Sequence, residues 1–393
     1  TFKVVSNRWT VSLHIKGAYY IPLVSAEILF ENNYFFLGLQ KYRTGVNSMG
    51  RNNFVVIGEN IHTTRVLRRD GRRVGLDNDG NEAVLFKDIS GEPAFLKIPD
   101  HFKDNKIYSE GRVKHFMIAI LEGMSEVSDD RGKGSDFILA EIKRQELAGS
   151  QFLDLNVDEI SYRVDLQKKA MQWLVSIYCT FAKVPPSIDS SGMEILEHGL
   201  ETYAKCGSPQ GPPMVNSASL ERIDALDLVK EYDAHVVVTA SGAEGMPTND
   251  IERINNVRLM LSECDNRDIS LDRIHIDGLV FPIAVDQSFG LHYLEAVSAM
   301  RNEFGAGVHI TGGLSNVSFG LPARRLINDT FIRLCMNSGV DSGILNPIES
   351  RIDRIEALDM EADRVVLAVD MLLGKDPFCM NFIQAFRDGY LSA

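Results

Sequence analysis

Carboxylates and carboxamides recur in this chain at one kind of place, the end of a short apolar run. Asp154 and Asn156 close Leu153-Asp154-Leu155-Asn156, Asp189 closes Ile188-Asp189-Ser190, Asn216 lies in Val215-Asn216-Ser217 and Asp277 in Ile276-Asp277-Gly278. Glu59 and Asn60 end Ile57-Gly58-Glu59-Asn60, and Asn316 lies in Gly313-Leu314-Ser315-Asn316-Val317-Ser318. Ionised carboxylates accept hydrogen bonds, and carboxamides both donate and accept. Brought together, such groups suit a polar, planar ligand rich in N–H and C=O groups. Taken singly, Asp189 or Asp277 would serve as well as a cap for the following helix.

An apolar run that stops at a small hydrogen-bonding side chain is what a buried parallel strand requires. The pattern predicts eight strands, at 54–58, 152–157, 186–189, 214–216, 235–240, 274–279, 308–311 and 342–345. Helical periodicity fills the gaps, at 137–148, 163–181, 193–205, 220–232, 249–264, 290–304, 323–337 and 353–373. Regular alternation predicts a parallel sheet, and eight units predict closure into a (β/α)8 TIM barrel. All strand C-termini of such a barrel open on one face, which carries the active site. The barrel is expected over 49–64 and 134–393. Residues 65–133 form an insertion after the first strand, much longer than an ordinary βα loop. Its first half carries turn signals (Asp70-Gly71, Asp79-Gly80, Ser90-Gly91) and residues 112–124 read as helical. Leaving from the active-site end, it suits a lid, a docking platform or a passive decoration. Residues 1–48 share no pattern with the rest. Met49 precedes Gly50-Arg51-Asn52-Asn53 and the first barrel strand, so it fits a natural start that would leave 1–48 outside the native protein.

At 393 residues and 45% hydrophobic content, the chain supports a full core. A net charge of −13 argues against nucleic acid or an acidic membrane surface as partner. No apolar run has the length of a membrane span. The five cysteines are scattered without a Cys-x-x-Cys, which favours reduced thiols in a cytoplasm over a disulfide or zinc framework. His275 and His309 read as core residues, His62 as a loop histidine, and Trp173 as helix-to-sheet packing.

In this order and spacing, the strand-end phrases resemble those of the pterin-binding methyltransferases that move a methyl group between methyltetrahydrofolate and a corrinoid. The likeness extends to both the methyltetrahydrofolate:corrinoid/iron–sulfur protein methyltransferases and the folate domain of cobalamin-dependent methionine synthase. It continues through Leu326-Ile327-Asn328-Asp329-Thr330-Phe331 and covers about two-thirds of the chain. The resemblance implies that Asp189, Asn216 and Asp277 grip the pterin edge, with Asp154 and Asn156 shaping the floor. Glu59, Asn60, Gly313, Ser315 and Arg324 would complete the pocket, and Gly312 with Gly313 would let the backbone approach the ring. Arg324 and Arg325 would suit the folate tail, the corrinoid partner or plain surface.

Methyl displacement from N5 makes a poor leaving group of an uncharged amine, so a donor must support N5 as charge develops. The resemblance gives that role to Asn316 and counts Asp277 with it as catalytic. Tetrahydrofolate or methyltetrahydrofolate is then the substrate. Cobalt(I) is the nucleophile, and no resident metal is expected. The corrinoid-binding signature Asp-x-His-x-x-Gly is missing, since Asp233-Ala234-His235 runs into Val236-Val237-Val238. The corrinoid is therefore expected in trans, on a separate protein. A homodimer is the family expectation. Dihydropteroate synthase shares the barrel type, but its Asn-x-Thr-Pro-Asp-Ser-Phe and Gly-Gly-Glu-Ser-Thr-Arg loops are replaced by Asn60-Ile61-His62-Thr63-Thr64 and Asn156-Val157-Asp158-Glu159-Ile160-Ser161. A non-catalytic pterin-binding subunit is the third reading.

Overall fold

The computed structural model describes residues 54–126, 130–247 and 249–391, together with the strands Val4–Val5 and Arg8–Trp9. The chain divides into two units, Thr1–Gln40 and Lys41–Ala393. In the first, Val4 pairs with Trp9 and Val5 with Arg8 in antiparallel register. The expectation about Met49 and the native start lies outside the described residues.

The second unit carries the barrel. Its strands are β1 Val55–His62, β2 Phe152–Asn156, β3 Pro186–Asp189, β4 Met214–Ala218, β5 His235–Thr239, β6 Ile274–Asp277, β7 His309–Thr311 and β8 Ser342–Leu345. They are parallel, in the order β7-β6-β5-β4-β3-β2-β1-β8. Backbone bonds from Asp341 N to Ile310 O (3.2 Å) and from Ile344 N to Gly312 O (3.0 Å) close the ring between β7 and β8. The helices are α1 Arg131–Leu147, α2 Val164–Phe181, α3 Met193–Lys205, α4 Ala225–Glu231, α5 Asp250–Asp265, α6 Phe289–Phe304, α7 Arg324–Ser338 and α8 Asp363–Leu372. Ile57, Phe152, Met214 and Val237 pack together, with Val55 and Ile344 against them. Each such side chain contributes about 2 kcal/mol on full burial.

The closing seam is also held by charge. Buried Arg301 donates to Asp341 Oδ1 at 2.8 Å, and His309 Nδ1 lies 3.2 Å from Asp341 Oδ2. Burial alone would push the Asp341 carboxyl up, but His309, Arg301 and the Ile310 N–H hold it below its ordinary value. His309 stacks on His275 at 4.4 Å, and His275 Nδ1 sits 2.9 Å from Ser342 Oγ, so both are the core residues expected of them.

The insertion folds as the turn signals predict. Val74–Leu76, Glu82–Lys87 and Pro93–Lys97 form an antiparallel sheet. Asp77 and Asp88 accept turn N–H groups, leaving Gly80 (φ 83°) and Gly91 (φ 89°) in the left-handed region that glycine tolerates. Phe86 of this sheet meets Phe137 of α1 edge-on at 5.1 Å. The helical half is shorter than expected: Arg112–Val113 is a strand paired with Leu67–Arg68, and the helix is His115–Met124.

That helix crosses α1 closely through two glycines. A Cβ on Gly134 would lie 2.3 Å from Ala119 O and 2.6 Å from Gly123 N, both backbone atoms. Gly134→Ala is expected to destabilise the protein by about 3 kcal/mol, read as a lower denaturant midpoint, because neither helix can yield by a rotamer change. Trp173 corrects its expectation: a Cβ on Gly123 would lie 2.2 Å from its ring, so it packs helix to helix. The last predicted helix is broken into Ile352–Glu356 and α8, with Met380–Arg387 after it. Asp359 Oδ1 takes the Glu361 N–H at 3.0 Å, a local bond that competes with the helix. No described helix is long and apolar enough to cross a membrane.

Candidate active site

Parallel register sets the first three groups side by side. Asp189 of β3 is level with Asn156 of β2 and Asn216 of β4. Asp154 lies two residues before Asn156, on the same face of the strand. Asn156 Nδ2 donates to Asp189 Oδ2 at 2.8 Å, and Asn216 Nδ2 to Asp154 Oδ1 at 3.2 Å. Asn156 is oriented by the Asp158 N–H, which donates to its Oδ1 at 3.0 Å. Burial pushes the Asp154 carboxyl up to about 6. Asp189 keeps 22% of its side-chain surface yet sits deep in the mouth, and burial followed by the neighbouring Asp154 charge drives it well above its ordinary value. Two carboxyls in one poorly solvated pocket resist double ionisation, so they titrate as a pair.

Asp277 stands level with Thr311 of β7. It accepts the Leu279 N–H at 2.7 Å across a turn in which Leu279 has φ 64°. Burial pushes its carboxyl up to about 6, against the pull of that N–H and of the Arg253 charge. Arg253 is buried, pairs with Asp250 at 3.2 Å and lies over Phe281. Gly312 has no room for a side chain: a Cβ would meet Tyr293 Oη at 2.7 Å and Asp277 Oδ1 at 3.4 Å.

Asn316 lies in a 3₁₀ turn, Leu314–Ser318, directly after β7. A Cβ at Gly313 would lie 2.8 Å from its Nδ2, so glycine there gives the carboxamide its place. Among the described residues that carboxamide has no hydrogen-bond partner, which leaves it able to face a ligand. Arg324 is exposed and grips this turn: Nε reaches Ser318 Oγ (3.0 Å), Nη2 reaches Ser315 O (3.1 Å), and the guanidinium covers Phe319.

The remaining expected groups are engaged in contacts within the protein. Asn60 is buried and donates to Glu141 Oε1 (2.8 Å) and Asn346 Oδ1 (3.1 Å), away from the Asp189 group. Glu59 meets Ser315. Two further residues join the site: His62, read from the sequence as a loop histidine but the last residue of β1, and Arg222, to which the sequence gave no role. His62 Nε2 lies 3.7 Å from Asp189 Oδ2, burial, then Arg65, lowers its pKa, and its Nδ1 faces the Thr64 N–H at 3.2 Å and the Thr64 hydroxyl at 2.8 Å. Arg222 binds the carbonyls of Ser190 (2.9 Å), Ser191 (2.8 Å) and Ser217 (2.7 Å), tying the loop after Asp189 to the end of β4 just past Asn216. Helical periodicity placed Arg222 inside a helix at 220–232. Ser219 Oγ instead accepts the Arg222 N–H at 3.2 Å and delays the helix to Ala225.

Three comparisons with known proteins bear on the family of this chain. The family described as pterin binding enzyme matches residues 125–346, more than half of the chain. The methylcorrinoid:tetrahydrofolate methyltransferase of Eubacterium limosum is 30% identical over 263 residues, 65% of this chain and 89% of that protein. Methionine synthase of Mycobacterium leprae is 29% identical over 245 residues, 56% of this chain but only 19% of that longer enzyme. Among solved structures, the dihydropteroate synthase of Xanthomonas albilineans overlaps with a TM-score of 0.44 at 16% identity, covering 58% of this chain and 87% of that one. The matched family spans β2 through β8 and more than half of the chain, so the chain belongs to the pterin-binding enzymes.

Proposed function

We propose that the protein is a methyltransferase that moves a methyl group between N5 of tetrahydrofolate and the cobalt of a corrinoid carried on a separate protein. The observation that carries this is the Asn316 carboxamide, without a hydrogen-bond partner among the described residues, at the same end of the barrel as the buried and half-buried carboxyls and carboxamides of the strand C-termini. The relative from Eubacterium limosum, whose name joins a methylcorrinoid to tetrahydrofolate, supports it. Asp189, Asn216 and Asp277 would accept from and donate to the pterin edge, above Asp154 and Asn156. The corrinoid is a second substrate whose cobalt gives or takes the methyl group. Asn316 donates a hydrogen bond to N5 as the C–N bond breaks and a proton from solvent is taken up there, favouring the transition state over the ground state. In the reverse direction its amide oxygen can accept from the N5–H of tetrahydrofolate, so one group serves both directions.

The test is anaerobic. The protein is mixed with methyltetrahydrofolate and free cob(I)alamin, and methylcobalamin is followed by its visible spectrum. Catalysed transfer is expected. Tight pterin binding without transfer, even with added corrinoid protein, would make the protein a binding subunit, and no pterin binding would overturn the proposal.

Arg222 supplies a prediction within this reading. Arg222→Ala unties the loop after Asp189 from the end of β4 and is expected to weaken tetrahydrofolate binding by roughly 30-fold, about 2 kcal/mol, by calorimetry. Arg222→Lys should recover only part of this, because one ammonium cannot reach the carbonyls that the guanidinium fork spans.

A further inference from the structure

We propose that Glu59 is a positioning residue for Asn316, held in place by Arg65 at the root of the insertion. The proposal rests on the methyl-transfer reading above and adds a residue to it.

The strand register provides the geometry. β1 pairs Gly58 with Leu153 and Ile61 with Leu155, so Glu59 and Asn60 stand opposite a single residue of β2. Such a bulge re-aims side chains at the rim of a barrel. Asn60 is committed to Glu141 and Asn346. Glu59 crosses instead to the turn after β7, where its Oε1 accepts from Ser315 Oγ at 2.9 Å. The same oxygen accepts from Arg65 Nη2 at 2.6 Å, and Arg65 Nε reaches the Glu59 carbonyl at 3.3 Å. Arg65 thus grips both the side chain and the backbone of one residue. The two charged side chains keep only 19% and 29% of their surface, so the pair is stronger than a surface ion pair.

Ser315 immediately precedes Asn316. The 3₁₀ turn that carries them is a short element with poor internal hydrogen-bond geometry, so side-chain ties decide where it sits. Arg324 supplies one tie from the helix side, and Glu59 supplies the other from the first strand. A donor that supports charge developing at N5 must be held to within about 0.5 Å. Loss of the Glu59 tie should therefore slow the chemical step and leave ground-state pterin binding alone. Because the carboxylate is anchored by Arg65, the position of the insertion root is transmitted to the catalytic turn.

The experiment compares Glu59→Ala, Glu59→Gln, Ser315→Ala and the Glu59→Ala/Ser315→Ala double variant. Single-turnover transfer at saturating folate, tetrahydrofolate affinity by calorimetry, and amide hydrogen exchange across 314–318 are measured on each. Glu59→Ala is expected to slow transfer by 10- to 100-fold, with affinity within twofold of wild type and faster exchange at 314–318. Glu59→Gln, which keeps an oxygen for Ser315, should recover part of the rate. The double variant should be no slower than Glu59→Ala, since both substitutions break one tie. A weakened affinity with the saturated rate intact would overturn the proposal, because Glu59 would then contact the ligand directly. So would multiplicative losses in the double variant, or unchanged exchange. Wild-type protein that transfers no methyl would overturn the methyl-transfer reading itself, and exchange at 314–318 would then decide alone whether Glu59 holds the turn.

Discussion

Asn316→Ala is expected to lower the rate of methyl transfer by about 10²- to 10³-fold, the usual effect of removing one preorganised donor from a site of developing charge. Tetrahydrofolate affinity should fall by no more than a few-fold, because the pterin edge is assigned to Asp189, Asn216 and Asp277. The amide has no other described partner, so removing it leaves no buried group unsatisfied, and the fold should persist with an unchanged denaturant midpoint. Single-turnover transfer and calorimetry on the same preparation check this. Equal losses in rate and affinity would show that the amide binds ground state and transition state alike, contrary to the role given to it.

Ligand binding and stability should respond to pH with opposite sign. Asp154 and Asp277 have carboxyls pushed up to about 6 by burial, from an ordinary value of 3.8. Of the two, Asp277 is assigned to the pterin edge, and pterin N–H donors need it ionised. Affinity should therefore weaken by roughly tenfold per pH unit, per carboxylate used, as pH falls below about 6. Unliganded protein behaves the other way. Between pH 3.8 and 6 the folded state keeps these protons while the unfolded chain has lost them. The stability this confers is complete below 3.8 and is lost as pH rises through about 6. Buried Asp154 carries its part of this together with Asp189, with which it titrates as a pair, and Asp277, which opens toward the mouth, carries less. Urea denaturation at pH 5 and pH 7 should show the unliganded wild type losing this contribution at the higher pH. Asp277→Asn should flatten its share of both profiles. A pterin affinity that stays constant from pH 7 to pH 5 would remove these carboxylates from the site.

The strands at Phe152–Asn156, Pro186–Asp189 and Ile274–Asp277 were legible because their signal is local: β-branched and apolar residues, then a polar stop. Parallel alternation of eight such runs left few topologies, and right-handed crossovers bring every polar stop to one face. That much placed Asp154, Asn156, Asp189, Asn216, Asp277 and Asn316 at the barrel mouth from the sequence alone. Three things depended on contacts between distant segments. The bulge at Glu59 and Asn60 exists only against β2, and it sends two neighbouring side chains to α1 and to the turn after β7. Arg222 left its predicted helix because Ser219 and the carbonyls of Ser190, Ser191 and Ser217 offered better partners than solvent. The raised carboxyls of Asp154, Asp189 and Asp277 follow from desolvation, which no single strand specifies. Sequence period and propensity fix which groups reach the mouth of the barrel. Which groups hold one another there, and with what charge, is decided when residues as far apart as Glu59 and Ser315 come within hydrogen-bond distance.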